Sequence, residues 1–491
     1  QDSLGFIATS ATYDIQKSLL TAYNVEYIKV ADALIYPEEG GTVEIEKKAR
    51  MRTLKDARIE ANLVHSIHSA EVNILSKHDY EASGKYNYED EENNIQFVRF
   101  DKISVNKTGH TTAKGEIIES DNFTLSPNFG YVGRVQLDAE KEFLTFNGGV
   151  SLNHNCDMLG KEYLRFTAEI NPLEVYIPVT TTPMNINGQK IFNGHFITND
   201  ATHIYSTFLS TRKTYSDNHM IPTEGFLFFD KKTGEYKIAS KEKLTDGYLS
   251  GNLLSFNKNY CKLYGEGKVN LAVDFGQFKI TPVGHITHNM ETNEAELDLL
   301  LGLNFFFSPE ATTLMTNEIN AIPTLSAVDM ASSTYNKGIT EIVGFAKAKE
   351  LKEEANLYGR INELPSQLQF TIFITHLNLV WNQETRSYRS VGKIGIGNIL
   401  NTQLNVLVDG HLEIQKKRSG DLFDLYLKID ENIWYYFGYS RGVLQSLSSN
   451  RDFNMKLQEL NPNQRKLKVR SGETPYIYMV AVGQKLSRFL R

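Results

Sequence analysis

The segment NFGYVGRVQLDA (128–139) contains the pattern that decides the fold class of this chain. From Tyr131 to Leu137 every second residue is apolar or glycine, and the residues between them are polar except for Val132. Successive side chains of a β-strand point to opposite faces of a sheet. The alternation therefore predicts a strand with one buried face and one exposed face.

The same kind of run recurs through the first 180 residues. The runs are separated by short polar turns such as EEGG (38–41), EDEENN (89–94) and NKTGH (106–110). No helix-length periodic segment interrupts them, which argues against a parallel sheet with crossover helices. We predict a mainly β fold of stacked antiparallel strands, arranged as solenoid, jelly-roll or sandwich units.

One stretch has helical character and predicts a single helical insert. Ser308 can cap a helix N-terminus, Pro309 suits its first turn, and Pro323 ends it. Apolar residues recur at helical spacing in KGITEIVGFAKAKELKEEANLYGRI (337–361). We divide the chain into a β-repeat region, a second β region, the helical insert, and a C-terminal β region with terminal helices, at 1–180, 181–307, 308–362 and 363–491.

Two segments share one frame, FFDKKTGEYKIAS (228–240) and VWNQETRSYRSVG (380–392). In each, Asp230 or Asn382 precedes a polar turn, and Tyr236 or Tyr388 follows it. Asp and Asn side chains bond to nearby backbone and close turns. We interpret the two segments as equivalent β-hairpins with the tyrosines on the return strands.

The chain has two cysteines, Cys156 and Cys261. Each lies in a similar context, an apolar strand and an Asn-containing turn before it and a glycine after it. They therefore look like equivalent positions of two repeated units, and equivalent positions need not touch. We predict two unlinked, buried thiols.

Charge and hydropathy argue against a nucleic-acid partner and against a membrane-spanning segment. A net charge of −7 over 491 residues does not favour nucleic acid. A basic segment, NQRKLKVRSG (463–472), is interpreted as a solvated edge strand. No run of about 18 apolar residues is present, so no membrane-spanning segment is predicted. No signal peptide opens the chain, so a signal has been removed, the chain is a fragment, or it never had one.

No residue is predicted to be catalytic, cofactor-binding or metal-binding, and no cofactor is expected. The pairs His65/His68 and His285/His288 have no evident third ligand, so surface or core positions are favoured. Other candidates are interpreted as architecture. The acidic run 89–92 is interpreted as a solvated loop, and the aromatic run WYYFGY (434–439) as core packing. The acids Asp421, Asp424 and Asp430 and the glycines of GKIGIGNIL (392–400) are likewise given no functional role.

The segment ATYDIQKSLLTAYNVEYIKVADALIYPEEGGTVEIEKKARM (11–51) resembles the repeats of the OstA-like periplasmic proteins of lipopolysaccharide transport. The resemblance extends over about the first 150 residues and implies an open jelly-roll groove that carries glycolipid. The helical insert and the C-terminal half do not fit that family. The chain also resembles large secreted or envelope proteins of Bacteroidetes-type bacteria, which implies a periplasmic, cell-surface or outer-membrane-associated location.

Three hypotheses for function follow. The first is a non-enzymatic cell-envelope scaffold that binds other envelope proteins. The second is a lipid- or glycolipid-binding conduit of the lipopolysaccharide-transport type, for which a continuous apolar groove would be expected. The third is a carbohydrate-binding or carbohydrate-cleaving β protein, for which an exposed aromatic platform beside paired carboxylates would be expected.

Overall fold

The structure is a computed structural model that describes residues 4–38, 40–358 and 360–490. Strands make up 48% of the chain and helices 14%, so the predicted mainly β fold is confirmed. The chain forms two units. The first comprises residues 1–154, 161–191 and 227–229, and the second comprises residues 155–160, 192–226 and 230–491. The four regions proposed from the sequence stay a prediction.

The first unit is built from antiparallel strands joined mostly by short turns. Strands β1, β2, β5 and β6 form one sheet, and the others, apart from β16, form an eleven-stranded sheet in which most neighbours along the chain pair. Two single-turn helices, Lys47–Ala49 and Glu119–Asp121, lie in its turns. Strands β1 to β16 are Ser10–Asp14, Leu19–Tyr23, Ile28–Val30, Ala33–Tyr36, Val43–Glu46, Arg50–Met51, Leu54–Ala61, His65–Ser76, Asp79–Glu89, Ile95–Val105, Thr111–Ile117, Thr124–Ser126, Phe129–Asp138, Thr145–Leu152, Leu164–Glu169 and Ile177–Val179.

The alternation in β13 places its apolar side chains in the core of the first unit. Tyr131, Val135 and Leu137 are buried, and the residues between them are exposed or half-buried. The Tyr131 ring meets the Phe146 ring edge-on, with centroids 5.0 Å apart. Gly133, at a φ of +136°, faces Gly148 across the strand pair, where a Cβ would come within 2.6 Å of the Gly148 Cα. This glycine pair leaves room for the Tyr131 hydroxyl, which donates to the Arg134 carbonyl.

Within the described residues, the second unit holds six α-helices and the remaining strands, except that residues 227–229 of β20 belong to the first unit. Its main sheet runs in the order β21, β22, β23, β24, β25, β27, β28, β29, β30, β31, β32, β34 and β33. A separate three-stranded sheet has the order β18, β17, β19. Strands β17 to β34 are Phe192–Ile197, Ile204–Ser210, Asn218–His219, Gly225–Asp230, Glu235–Ala239, Leu253–Asn257, Lys262–Lys268, Lys279–Asn289, Glu294–Asn304, Ser326–Ala327, Ile372–Asn382, Ser387–Ile399, Thr402–Gln415, Leu422–Lys428, Trp434–Ser440, Val443–Ser448, Lys466–Leu467 and Tyr476–Val480.

Five of the six α-helices described in the second unit lie where the sequence predicts helix, whereas the first, Lys241–Thr245, lies in the region predicted as β. In addition to a 3-10 turn at Ser366–Leu368, helices α1 to α6 are Lys241–Thr245, Pro309–Asn320, Ser333–Val343, Phe345–Tyr358, Arg451–Glu459 and Gly483–Phe489. The predicted cap is present, because the Ser308 hydroxyl accepts from the Ala311 amide at 3.3 Å. The long periodic segment is two helices, because Gly344, at a φ of +84°, ends α3. Within the described ranges, none of the helices is both long and apolar enough to cross a bilayer.

The two repeated segments are hairpins with the predicted turn bonds. The Asp230 carboxylate accepts from the Lys232 amide at 2.9 Å. The Asn382 side-chain oxygen accepts from the Thr385 amide at 3.0 Å. Tyr236 and Tyr388 lie on the return strands and are fully buried.

Replacing Asn382 with Ala is expected to lower the free energy of unfolding by about 1 kcal/mol, because the Thr385 amide loses its acceptor. Urea unfolding measures the loss. The matched control is Asn432→Ala, because Asn432 occupies another hairpin turn where the side-chain acceptor is Asp430. Equal stability of the N382A variant and the unaltered chain would contradict this role.

The prediction of two unlinked cysteines is wrong, because Cys156 and Cys261 form a disulfide. Both belong to the second unit, and their Cα atoms lie 5.1 Å apart. The backbone amide of Asn155 also donates to the Lys258 carbonyl, so the two segments run side by side. The sequences around the two cysteines are similar, but this similarity gives no information on the distance between Cys156 and Cys261 in the fold.

Candidate functional site

The predicted edge and core segments occupy the positions expected for them. The basic segment 463–472 contains β33, the last strand of its sheet. In WYYFGY, Tyr435, Tyr436, Phe437 and Tyr439 are buried, which confirms core packing. The acidic run 89–92 is a turn, but the expectation of a fully solvated loop is wrong at Asp90. That carboxylate is buried and accepts from the amides of Glu92 and Asn94.

The remaining acidic and glycine candidates take part in turns and strands. Asp421 accepts from the Lys417 amide, and Asp430 accepts from the Asn432 amide. The Asp424 carboxylate accepts from the Tyr436 hydroxyl, and burial raises its pKa. The glycines of 392–400 lie within β28.

The histidine pairs do not converge on a metal site. His65 lies in β8 and bonds the Lys141 carbonyl through Nε2, whereas the His68 ring lies 3.3 Å from the Ser66 hydroxyl. His285 and His288 lie in β24, where a spacing of three places them on opposite faces. Among the residues that the structure describes, no group of three or more His, Cys, Asp or Glu is arranged to hold a metal ion.

His288 belongs to a histidine group with His195 and His219, in which His195 and His288 are buried and His219 is half-buried. The Nδ1 of His195 lies 2.8 Å from the Ser206 hydroxyl, and the Nε2 of His219 lies 2.7 Å from the Asn193 carbonyl oxygen. Burial lowers the pKa of all three, that of His288 to about 4. The neighbouring His288 and His219 add to this effect at His195.

A buried ionic cluster lies where α1, α3 and β23 meet. Glu266 of β23 is 3% exposed and Lys243 of α1 is 2% exposed. The Lys243 Nζ lies 2.9 Å from one Glu266 oxygen, and the Lys337 Nζ lies 2.6 Å from the other. The Tyr264 hydroxyl donates to the second oxygen at 2.5 Å. One Glu266 oxygen therefore accepts two hydrogen bonds, from Tyr264 and Lys337, and the other is held by its ion pair with Lys243.

The electrostatics of the ionic cluster follow from this pairing. Burial alone would raise the pKa of Glu266, but the two lysines and the Tyr264 hydroxyl outweigh it and lower the pKa. The Lys243 ammonium also donates to the carbonyls of Gly247 and Leu249, at 2.9 and 2.6 Å. Lys243 and Glu266 therefore stabilise the fold, because their charged groups are engaged in contacts within the protein.

A polar cavity of about 230 Å³ opens beside the ionic cluster. Its floor is a glycine pair, Gly267 of β23 and Gly284 of β24, which face each other in the strand register. Both have positive φ, and a Cβ on Gly284 would come within 2.2 Å of the Asp298 carbonyl oxygen. A Cβ on Gly267 would come within 2.1 Å of the Asn252 side-chain oxygen, so neither position of the cavity floor accepts a side chain. Its other walls come from α3 and His285.

A second cavity is an apolar cleft of about 300 Å³ between α3 and α4. The break at Gly344 lets the two helices pack against each other, with Ile339 of α3 and Leu351 of α4 in one core cluster. Exposed Lys349 and Lys352 also line the cleft. The other lining side chains used below are Tyr335, Ala348 and Ala355. We call this cavity the apolar cleft.

Neither cavity was predicted from the sequence. One signal was available for the ionic cluster, because Glu266 stands between Gly265 and Gly267 inside a strand. Glycine in a strand interior often marks a close approach of other groups. The partners Lys243 and Lys337 come from distant parts of the chain, and no local pattern identifies them.

Comparison with family models, curated proteins and solved structures returns no match for this chain. The resemblance to OstA-like repeats therefore stays a prediction.

Proposed function

We propose that this protein is a non-enzymatic binding protein for a small anionic amphiphile, held in the apolar cleft of the second unit. The observation that carries the proposal is a cleft whose lining combines apolar side chains with two exposed lysines against a single carboxylate, Asp246. Ligand pockets in proteins typically combine such a lining with a few placed polar groups. Of the three hypotheses, this observation favours lipid binding.

The size of the cleft limits the ligand class. A volume of about 300 Å³ lies at the lower end of the range for small-molecule sites. It suits one short acyl chain or ring system better than a glycolipid with several chains. Lys349 and Lys352 form no ion pair within the described part of the chain, so both ammonium groups are free for an anionic headgroup.

The disulfide supports the proposed location. Disulfides persist in oxidising compartments, including the bacterial periplasm and the cell surface. The bond between Cys156 and Cys261 favours such a compartment for this protein. The scaffold and carbohydrate hypotheses remain predictions.

Decanoate is expected to bind the full chain saturably, and decanol is expected to bind roughly three- to tenfold more weakly because it lacks the charge. Isothermal titration calorimetry measures both. The variant Ala355→Phe fills the cleft from α4 and should abolish binding of both probes. Replacing Lys349 and Lys352 together with Gln should reduce decanoate affinity to the level of decanol.

The control is Lys347→Gln on the same helix, because Lys347 does not line the cleft and pairs with Glu350. Circular dichroism establishes that each variant retains its fold. Decanoate binding that persists unchanged in the folded A355F variant would contradict the proposal.

A further inference from the structure

The polar cavity lies on the other flank of α3 from the apolar cleft, and amphiphile binding does not use it. Along α3, Ser333, Lys337 and Glu341 line the polar cavity, whereas Tyr335 and Ile339 line the cleft. One helix therefore contributes to both cavities, and its charged side chains Lys337 and Glu341 line only the polar cavity. The polar cavity has hydrogen-bond donors and acceptors of its own, on Lys337 and Glu341.

Lys337 and Glu341 are one helical turn apart, a spacing at which a lysine and a glutamate commonly pair. Here they do not pair with each other. The Lys337 ammonium reaches Glu266, and one Glu341 oxygen accepts from the Gly251 amide at 2.7 Å. Both charged groups line the cavity.

Each group keeps unused hydrogen-bonding capacity. An ammonium has three N–H donors, and Lys337 gives one to Glu266. A carboxylate accepts through two oxygens, and in the described part of the chain only one oxygen of Glu341 has a partner. Burial raises the pKa of Glu341, and the Gly251 amide with Lys243 and Lys268 opposes that effect without reversing it. Burial also lowers the pKa of His285, so that wall of the cavity is neutral at pH 7.

We propose that the polar cavity binds a small α-amino acid, with its carboxylate on Lys337 and its ammonium on Glu341. A zwitterion is the class that uses both free capacities at once, because it brings an anion for Lys337 and a cation for Glu341. The volume of about 230 Å³ lies below the range for drug-sized ligands and suits a molecule of a few heavy atoms. The hydroxyl of Ser333 at the same wall offers a further polar contact.

The test is calorimetric titration of the full chain with L-serine, N-acetyl-L-serine and ethanolamine. N-acetyl-L-serine lacks the ammonium, and ethanolamine lacks the carboxylate. L-serine is expected to bind about tenfold or more tightly than either analogue, because each analogue loses one charge-assisted contact. Equal binding of L-serine and ethanolamine, or no binding of L-serine, would overturn the proposal.

The variant Glu341→Gln tests whether the Glu341 charge contributes to ligand binding in a protein that still folds. It should weaken L-serine binding about tenfold and leave N-acetyl-L-serine unchanged. The matched control is Glu350→Gln, an exposed carboxylate on α4 that lies outside the cavity. Decanoate binding is expected to be the same in E341Q and the unaltered chain, so this test fails or succeeds independently of the apolar cleft. Unchanged L-serine affinity in a folded E341Q variant would also overturn the proposal.

Discussion

Replacing Glu266 with Gln is expected to lower the free energy of unfolding of the second unit by about 3–5 kcal/mol. The substitution removes the negative charge that compensates Lys243, which is 2% exposed. An ammonium that is buried without a counter-charge is costly because water no longer solvates it. The shape of the side chain hardly changes, so the loss reports the charge.

Urea unfolding followed by tryptophan fluorescence measures this loss. The chain has two tryptophans, Trp381 and Trp434, and both belong to the second unit. The control is Glu350→Gln, because that carboxylate pairs with Lys347 on the surface, where a loss below about 1 kcal/mol is expected. A double variant, Lys243→Met with Glu266→Gln, should lose less than the sum of the two single variants. A loss below about 1 kcal/mol in E266Q would show that water reaches Lys243.

Acidification is expected to destabilise the second unit between about pH 6.5 and pH 4. The pKa of His288 in the fold is lowered to about 4, from an ordinary value near 6.5. In that window the unfolded chain binds a proton at His288 and the folded chain does not, so unfolding is favoured as the pH falls. Stability is fully present above pH 6.5, and His288 alone accounts for a loss of about 3 kcal/mol by pH 4.

The measurement is the slope of unfolding free energy against pH, which counts the protons taken up on unfolding. His288→Gln should reduce that slope by about one proton between pH 6 and 5. The control His411→Gln removes an exposed ring of β29, so it shows the effect of losing a histidine from the surface. Carboxylates with lowered pKa, including Glu266, act in the same direction at lower pH, so the comparison stays above pH 4.5. A slope that is identical in H288Q and the unaltered chain would contradict the assignment.

The sequence predicted well where the signal is local. The alternation around Tyr131, the helix cap at Ser308 and the turn bonds of Asp230 and Asn382 involve residues a few positions apart. The spacing of residue types along the sequence is enough to predict these features, because strand and helix geometry repeat every few residues. The fold class follows from many such signals added together.

Features that depend on the three-dimensional path of the chain were missed. Glu266 and Lys337 are far apart in sequence, and each by itself has the pattern of a solvated charge. The prediction of unlinked cysteines failed for the same reason, because the residues around each cysteine do not indicate how far apart the two lie in the fold. The apolar cleft depends on the break between α3 and α4 at Gly344, which the continuous periodicity of 337–361 concealed.

The disulfide also has a mechanical consequence. It closes a covalent ring between positions separated by 105 residues, so a force applied at the two ends of the chain bypasses everything inside the ring. At roughly 3.3–3.6 Å per extended residue, about 350 Å of contour length stays sheltered until the bond is reduced. The ring contains the first hairpin, the ionic residue Lys243 and two members of the histidine group, whereas the second hairpin and the apolar cleft's helices lie outside it. Tension would therefore reach the α3–α4 segment directly and leave the ring's own chain unstretched.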